Sequence, residues 1–321
     1  MTEPPSSSAV SFSRLTKSYR VGHVFQQRKT VLHELTFEVE RGEIFGYLGP
    51  NGSGKTTTLK VLTGLLFADA GEIRVLGLPL ADRSWRQRTG YLPEHPYLYD
   101  YLTAREYLDY VGQLFGMPRK PRADRAAELL RLVGLERSAD VALRRFSKGM
   151  VQRAGLAQAL MNDPELVILD EPMSGLDPLG RRLVRDVILA LKKEGKTILF
   201  STHILSDAET LCDRIAILRA GRLVDVGRLA DILRLDVAHM EVLVSGVDPA
   251  RLAIEGVHGS HPLGERHRLH VDERALGSVI RGLEQAGGRI LSVQPVRQSL
   301  EDFFFQEMGG RDAVGSGEGG D

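Results

Sequence analysis

Eight consecutive residues, Gly49-Pro50-Asn51-Gly52-Ser53-Gly54-Lys55-Thr56, have the spacing G-x-x-x-x-G-K-[ST]. Glycines at these places let backbone N–H groups turn inward and form a concave surface of donors for an anion. A lysine at the seventh position reaches the β- and γ-phosphates of a nucleotide, and the hydroxyl beside it can ligate Mg²⁺. Lys55, Thr56 and the adjoining Thr57 are therefore candidate ligands of a nucleoside triphosphate and its metal. Leu166-Val167-Ile168-Leu169 is an apolar run ending in Asp170 and Glu171. A carboxylate at the C-terminal end of a buried strand sits on the ligand-binding rim of a parallel sheet. There Asp170 can support the metal and Glu171 can polarise an attacking water.

These residues need elements to hold them. Glu43–Leu48 is a short apolar strand running into the glycine-rich turn, and a helix is expected from about Lys55 to Gly64. The helix N-terminus adds positive partial charge to the turn. Further short strands are expected at 9–19, 31–39, 72–76, 166–169 and 197–201, and a hairpin at 214–226 around Ala220-Gly221. Helical patterns fill 103–135, 150–161 (amphipathic) and 181–194. Strands alternating with helices indicate a parallel α/β sheet, to which an antiparallel N-terminal portion and a helical insertion are added. After about Leu235 the pattern changes to β, weak α (249–254), β, β, α (273–286), β, the order of a ferredoxin-like unit. A short closing helix is expected at Ser299–Phe305. The organisation expected is an unstructured start (1–9), a nucleotide-binding domain (10–235, helical insertion about 94–145), a C-terminal α+β domain (236–308) and an unstructured tail (309–321).

Composition excludes several classes. The 42 Lys and Arg residues balance 42 Asp and Glu, which argues against a basic nucleic-acid binder. One cysteine, Cys212, cannot make an internal disulfide or a Cys-cluster zinc site. No run of about 18 apolar residues is present, so no membrane-spanning helix is expected. The opening MTEPPSSSAV lacks the basic and apolar segments of a secretory leader.

Three further segments complete a pattern. Phe146-Ser147-Lys148-Gly149-Met150-Val151-Gln152-Arg153 precedes a helix that Ser147 would cap. Ser174-Gly175-Leu176-Asp177 follows the acidic strand, and His203 ends Ser201-Thr202-His203. Together with the two motifs above, in this order, the chain resembles the nucleotide-binding subunit of an ABC transporter, over about Ser11–Leu235. The fold that the resemblance implies is a P-loop NTPase: parallel core sheet, antiparallel β subdomain and helical insertion. The implied activity is hydrolysis of ATP with Mg²⁺. It implies that Gly49, Pro50, Asn51, Gly52, Ser53, Gly54, Lys55, Thr56 and Thr57 cradle the phosphates. Thr56 and Asp170 would hold Mg²⁺, Glu171 would act as general base, and His203 would contact the γ-phosphate. Ser147, Gly149 and Asp177 would act on the nucleotide of a second subunit, in a homodimer or heterodimer. Tyr19 resembles the aromatic that stacks on adenine, although 22–29 reads as an insertion that could displace it or bring Phe25 there instead.

The sequence departs from the family pattern at Glu94, where a glutamine is usual; a carboxylate there can still ligate Mg²⁺. FSKGM stands for LSGGQ, keeping the serine and second glycine, and Met173 replaces a small polar residue. Glu94, the FSKGM form and the Ser299–Phe304 segment look most like exporter-type subunits of the drug and polysaccharide kind. The resemblance then implies a separate integral membrane permease as partner, no nucleic acid, and a place on the cytoplasmic face of the membrane. The alternative is an ABC ATPase acting on ribosomes or nucleic acid. The single cassette, the balanced charge and the lack of long coiled coils disfavour it.

Overall fold

The structure, a computed structural model, describes residues 8–21, 27–232, 237–249 and 255–297. In chain order the elements are β1 (Ser8–Val21), β2 (Gln27–Glu40), β3 (Ile44–Leu48), α1 (Lys55–Leu62), β4 (Ala70–Val75), β5 (Leu78–Pro79), β6 (Thr89–Leu92), α2 (Ala104–Leu114), α3 (Arg119–Leu132) and α4 (Lys148–Ala159). They continue as β7 (Leu166–Asp170), α5 (Pro178–Lys193), β8 (Thr197–Thr202), α6 (Leu205–Leu211), β9 (Arg214–Arg219), β10 (Arg222–Arg228) and α7 (Leu229–Ile232). The last are β11 (Val237–Ser245), β12 (Val257–Leu263), β13 (Arg266–Val271), α8 (Leu276–Gln285) and β14 (Arg289–Arg297). The chain divides into two compact units between Leu229 and Ala230, ahead of the expected 235.

The first unit is built on a six-stranded sheet, β10-β9-β3-β8-β7-β6, parallel except for the β9–β10 hairpin. Every residue of β3, β7 and β8 is buried. Their alternate side chains feed two separate cores. Ile44, Val167, Leu169, Ile198 and Phe200 join the helices α2 to α5. Phe45, Tyr47, Leu166, Ile168 and Leu199 join α1 and the antiparallel sheet β2-β1-β4-β5. Each fully buried Leu, Ile or Phe contributes about 1.5–3 kcal/mol, which is why strands covered on both faces read as continuous apolar runs.

Several expectations change. Ser8, expected in an unstructured start, belongs to β1 with Ala9, which is fully buried. The helical stretch 103–135 is two helices, because Gly116-Met117-Pro118 separates α2 from α3. Helix α4 is not amphipathic: Gln152, Ala154, Gly155, Leu156, Ala157 and Ala159 are buried on several sides of it. The strand β6 and the helix α6 were not expected. Cys212 lies just past α6 in extended backbone. The helix expected over 273–286 opens as a 3-10 turn, Glu273–Ala275, before α8.

The second unit is a four-stranded antiparallel sheet, β12-β13-β11-β14. Val242, Val244, Leu269 and Val271 on one face pack with Val279 and Leu283 of α8. This strand order suits the split β-α-β-β-α-β unit. Its first helix, expected at 249–254, falls outside the described residues apart from Pro249. The closing helix expected at 299–305, the tail and Phe25 also lie outside them. Among the described residues no helix is long and apolar enough to cross a membrane.

Candidate functional site

The site lies at the C-terminal ends of β3, β7 and β8, where a parallel sheet turns its strand ends toward ligands. The turn after β3 needs glycine for two different reasons. Gly54 caps α1 at φ +112°, backbone that L side chains rarely adopt, and a Cβ on Gly49 would sit 2.3 Å from the carbonyl of Leu218. The turn so formed places Lys55 at the first position of α1. Its Nζ donates to the carbonyls of Gly49 (2.6 Å) and Pro50 (3.4 Å).

The same ammonium lies 3.3 Å from Glu171 Oε1, and both side chains are 7% exposed. The other oxygen of Glu171 is 2.8 Å from His203 Nδ1. Glu171 itself stands at φ +48°, uncommon for a side chain of its kind. That backbone carries the carboxylate from the end of β7 to the lysine and the histidine. An observed outlier at a strand end, tied to two charged partners, is a motive for a functional reading.

Asp170 is fully buried. Its Oδ1 accepts from Ser201 Oγ at 2.6 Å and from Thr56 Oγ1 at 3.3 Å, while Oδ2 has no hydrogen-bond partner. Burial raises its carboxyl above the usual carboxylate range, opposed by those two hydroxyls. Ser201 also accepts the Glu171 backbone N–H at 3.0 Å. One hydroxyl on β8 thus holds the Asp170 carboxylate at the end of β7 and the backbone of Glu171 just past it. The sequence reading missed this residue; its only signal was a hydroxyl at the end of an apolar strand.

A cleft of about 400 Å³ joins these groups. Asn51, Gly52, Gly54, Lys55, Thr56 and Thr57 line one side of it, with Glu94, Glu171, Tyr19 and Val31 around the rest. Tyr19 is thus among the residues that line the cleft. Val31 was not foreseen. Gly49, Pro50 and Ser53 belong to the turn without lining the cleft, and Asp170 and His203 stand behind Thr56 and Glu171.

Ser147, Gly149 and Asp177 do not line the cleft. Ser147 is exposed and caps α4, accepting from Met150 N–H. Asp177 caps α5, accepting from Gly180 N–H at 2.7 Å. The two segments pack on one another: a Cβ on Gly149 would come within 3.2 Å of Leu176, and one on Gly175 within 2.8 Å of Lys148. Buried Gln152 donates to the Pro172 carbonyl at 3.5 Å and ties this pair to the turn after β7, a link the sequence reading also missed.

A family model described as "ABC transporter" matches residues 32–174. An uncharacterized ABC transporter ATP-binding protein of Synechocystis is 44% identical over 308 residues, which is 95% of this chain and 86% of that protein. This chain belongs to the ABC transporter ATP-binding proteins. It is also 39% identical to a Nod factor export ATP-binding protein I of Mesorhizobium japonicum, over 94% of this chain and 87% of that one. A solved ATP-binding subunit of an ABC transporter superposes at a TM-score of 0.63 with 37% identity, covering 70% of this chain and 92% of that chain. An ATP-binding cassette solved as a dimer in a post-hydrolysis state with ADP and Pi gives 0.63 at 27% identity, covering 68% and 98%.

The protein is therefore an ABC-type ATPase, and its cleft is lined by a lysine ammonium and a carboxylate, with the Asp170 carboxyl and the His203 imidazole behind them. Its residues also fit Mg²⁺. Among the described residues no set of three His, Cys, Asp or Glu side chains forms a metal cluster. Mg²⁺, however, takes one or two protein oxygens and leaves its other positions to water and phosphate. The unpartnered Oδ2 of Asp170, whose Oδ1 accepts from Thr56 Oγ1, meets that requirement together with that hydroxyl. Glu94 is close enough to add to the upward push on the Asp170 carboxyl, so this ABC ATPase carries an additional negative charge at the cleft.

Proposed function

We propose that this ABC ATPase dimerises around two ATP molecules and drives a separate membrane permease on the cytoplasmic face, in the direction of export. The observation that carries the reading is the split of the motif residues. Lys55, Thr56, Glu94 and Glu171 line one cleft, whereas Ser147, Gly149 and Asp177 lie outside it on the same chain. A second subunit presenting its Ser147 side would complete the ring of donors around the γ-phosphate.

In this mechanism the phosphate takes over the Lys55 ammonium and frees Glu171 to accept a proton from water. The water oxygen bonds to the γ-phosphorus, and the bond to the β-phosphate oxygen breaks to release ADP. His203, held against Glu171, fixes that carboxylate and would contact the γ-phosphate. Thr56 and Asp170, with Glu94 nearby, would hold Mg²⁺, whose charge offsets that of the β- and γ-phosphates. The export direction is supported by the Nod factor export relatives and by the departures at Glu94 and FSKGM.

The test is ATPase activity per chain as the protein is diluted, with Ser147→Ala alongside. Activity should fall with dilution, and Ser147→Ala should lower it without lowering the affinity of an isolated chain for ATP. Full activity of a monomer, untouched by Ser147→Ala, would overturn the paired site. Copurification with an integral membrane protein, rather than ribosomes, tests the permease.

A further inference from the structure

Tyr19 stands at the unsupported end of a long hairpin. The β1–β2 ladder runs on to Val21↔Gln27, with Tyr19 opposite Lys29. On its other side β1 pairs with β4 only as far as Thr16↔Ala70. Beyond Thr16, no strand among the described residues pairs with that edge to accept its N–H groups.

Asp69 fills the place. Its own N–H donates to the Thr16 carbonyl at 2.9 Å, continuing the ladder for one step. Its Oδ2 then accepts the N–H of Ser18, the residue before Tyr19, at 2.8 Å, where the next carbonyl of β4 would have stood. The same carboxylate gathers a cation from each strand. Arg28 Nη2 of β2 donates to Oδ2 at 2.8 Å, and Lys17 Nζ of β1 donates to Oδ1 at 3.2 Å. Arg28 above all, then Lys17 and the Ser18 N–H, hold the Asp69 carboxyl far below the usual carboxylate range, so it stays an anion at any physiological pH. Lys17 in turn lies 5.6 Å from the centre of the Tyr19 ring, within the range of a cation–π contact. Tyr19 is 37% exposed and lines the cleft, so its ring is a platform whose orientation is set from behind rather than by burial.

We infer that Asp69 is a positioning residue for the nucleotide base: it locks the end of β1 so that Tyr19 presents its ring to the adenine, and through it sets affinity for the base while leaving the phosphate chemistry alone. The inference rests on the reading of the cleft as an ATP site with Tyr19 against the base. Stacking of a base on an aromatic ring is worth about 1–3 kcal/mol, so loosening the platform should cost on the order of tenfold in affinity.

The experiment compares steady-state ATPase kinetics of the full chain with Asp69→Asn, Tyr19→Ala and the double variant, and measures inhibition of each by tripolyphosphate, which has the phosphates and no base. Asp69→Asn should raise KM for ATP about tenfold with kcat within about twofold, and leave tripolyphosphate inhibition unchanged. In the Tyr19→Ala background it should add nothing further. An unchanged KM, or tripolyphosphate binding that weakens in step with ATP, would overturn the inference, the second by showing a merely structural role. If Tyr19→Ala itself leaves KM unchanged, the base platform fails and this inference with it. If Tyr19→Ala raises KM and Asp69→Asn does not, only the role of Asp69 fails. Should Asp69→Asn not fold, Lys17→Met and Arg28→Met each remove one cation and keep the Ser18 bond. A KM increase in either supports the lock, and no increase in both overturns it.

Discussion

The six-stranded sheet of the first unit and the four-stranded sheet of the second distribute their ionisable groups in opposite ways. In the first, β3, β7 and β8 are covered on both faces, and no charge is tolerated along them until the strand ends. Asp170, Glu171 and His203 are accordingly crowded onto one rim, where each can reach another. In the second, one face packs under α8 and the alternate residues remain open. His239 and His270 have ring centres 4.3 Å apart, with His261 5.2 Å from His270 and Glu241 and Arg268 on the same strands. Burial on two faces concentrates polar groups at an edge. Burial on one face spreads them over a surface that water screens.

Substitutions that probe this contrast should differ in size. Glu171→Gln should have the largest effect: phosphate release falls by roughly 10²–10⁴, the range for a general base, while equilibrium binding of ATP persists. Near wild-type turnover would show that the rim acid is not the base. Lys55→Ala removes the only ammonium among the described cleft-lining residues and leaves Glu171 Oε1 buried without its cation. Nucleotide affinity should fall by at least about 2 kcal/mol in a binding titration, the scale of a charge-assisted contact.

A third comparison concerns the strand faces themselves. Phe200→Ala, in the doubly covered sheet, should lower unfolding stability by about 3–5 kcal/mol. Leu291→Ala, 39% exposed on β14, should cost less than about 1 kcal/mol in the same denaturant titration. Equal losses would contradict the contrast in packing.

The smallest effect is a pH dependence of the second unit. Burial first, then the neighbouring charges of His239, His261 and Arg268, hold the His270 imidazole below its usual 6.5, against the pull of Glu241. A base whose folded pKa is depressed takes up its proton more readily when unfolded, so stability is complete above 6.5 and declines as pH falls through that value toward the lower folded one. Thermal unfolding of the second unit should shift downward between pH 7.5 and 5.5, and His270→Gln should flatten the shift. Glu94→Gln, which keeps the shape and removes a charge from the cleft rim, should preserve basal ATPase activity; total loss would give that carboxylate a role of its own.

Legibility followed the range of the cause. The Gly49–Thr56 turn was readable because its requirements are local: backbone at positive φ and a lysine and hydroxyl at fixed offsets. The continuous apolar runs of β7 and β8 were readable because both faces are covered. Strand β6 escaped notice because four residues, Thr89–Leu92, carry too short a pattern, and it exists by pairing with β7. Helix α4 misread as amphipathic because its small residues are covered by neighbours from several sides.

The amino-acid sequence alone determined the phosphate turn, the acids at the end of β7, the family and the alternation that makes the core sheet. These rest on short-range sterics and on periodicity. Only the tertiary structure decided that Ser201 bridges Asp170 and Glu171, that His203 meets Glu171, and that Asp69 stands in for a missing strand beside Tyr19. Those contacts join residues 30 to 51 positions apart in the chain. They depend on which strands lie side by side and in what register, and a single chain of letters does not state that pairing.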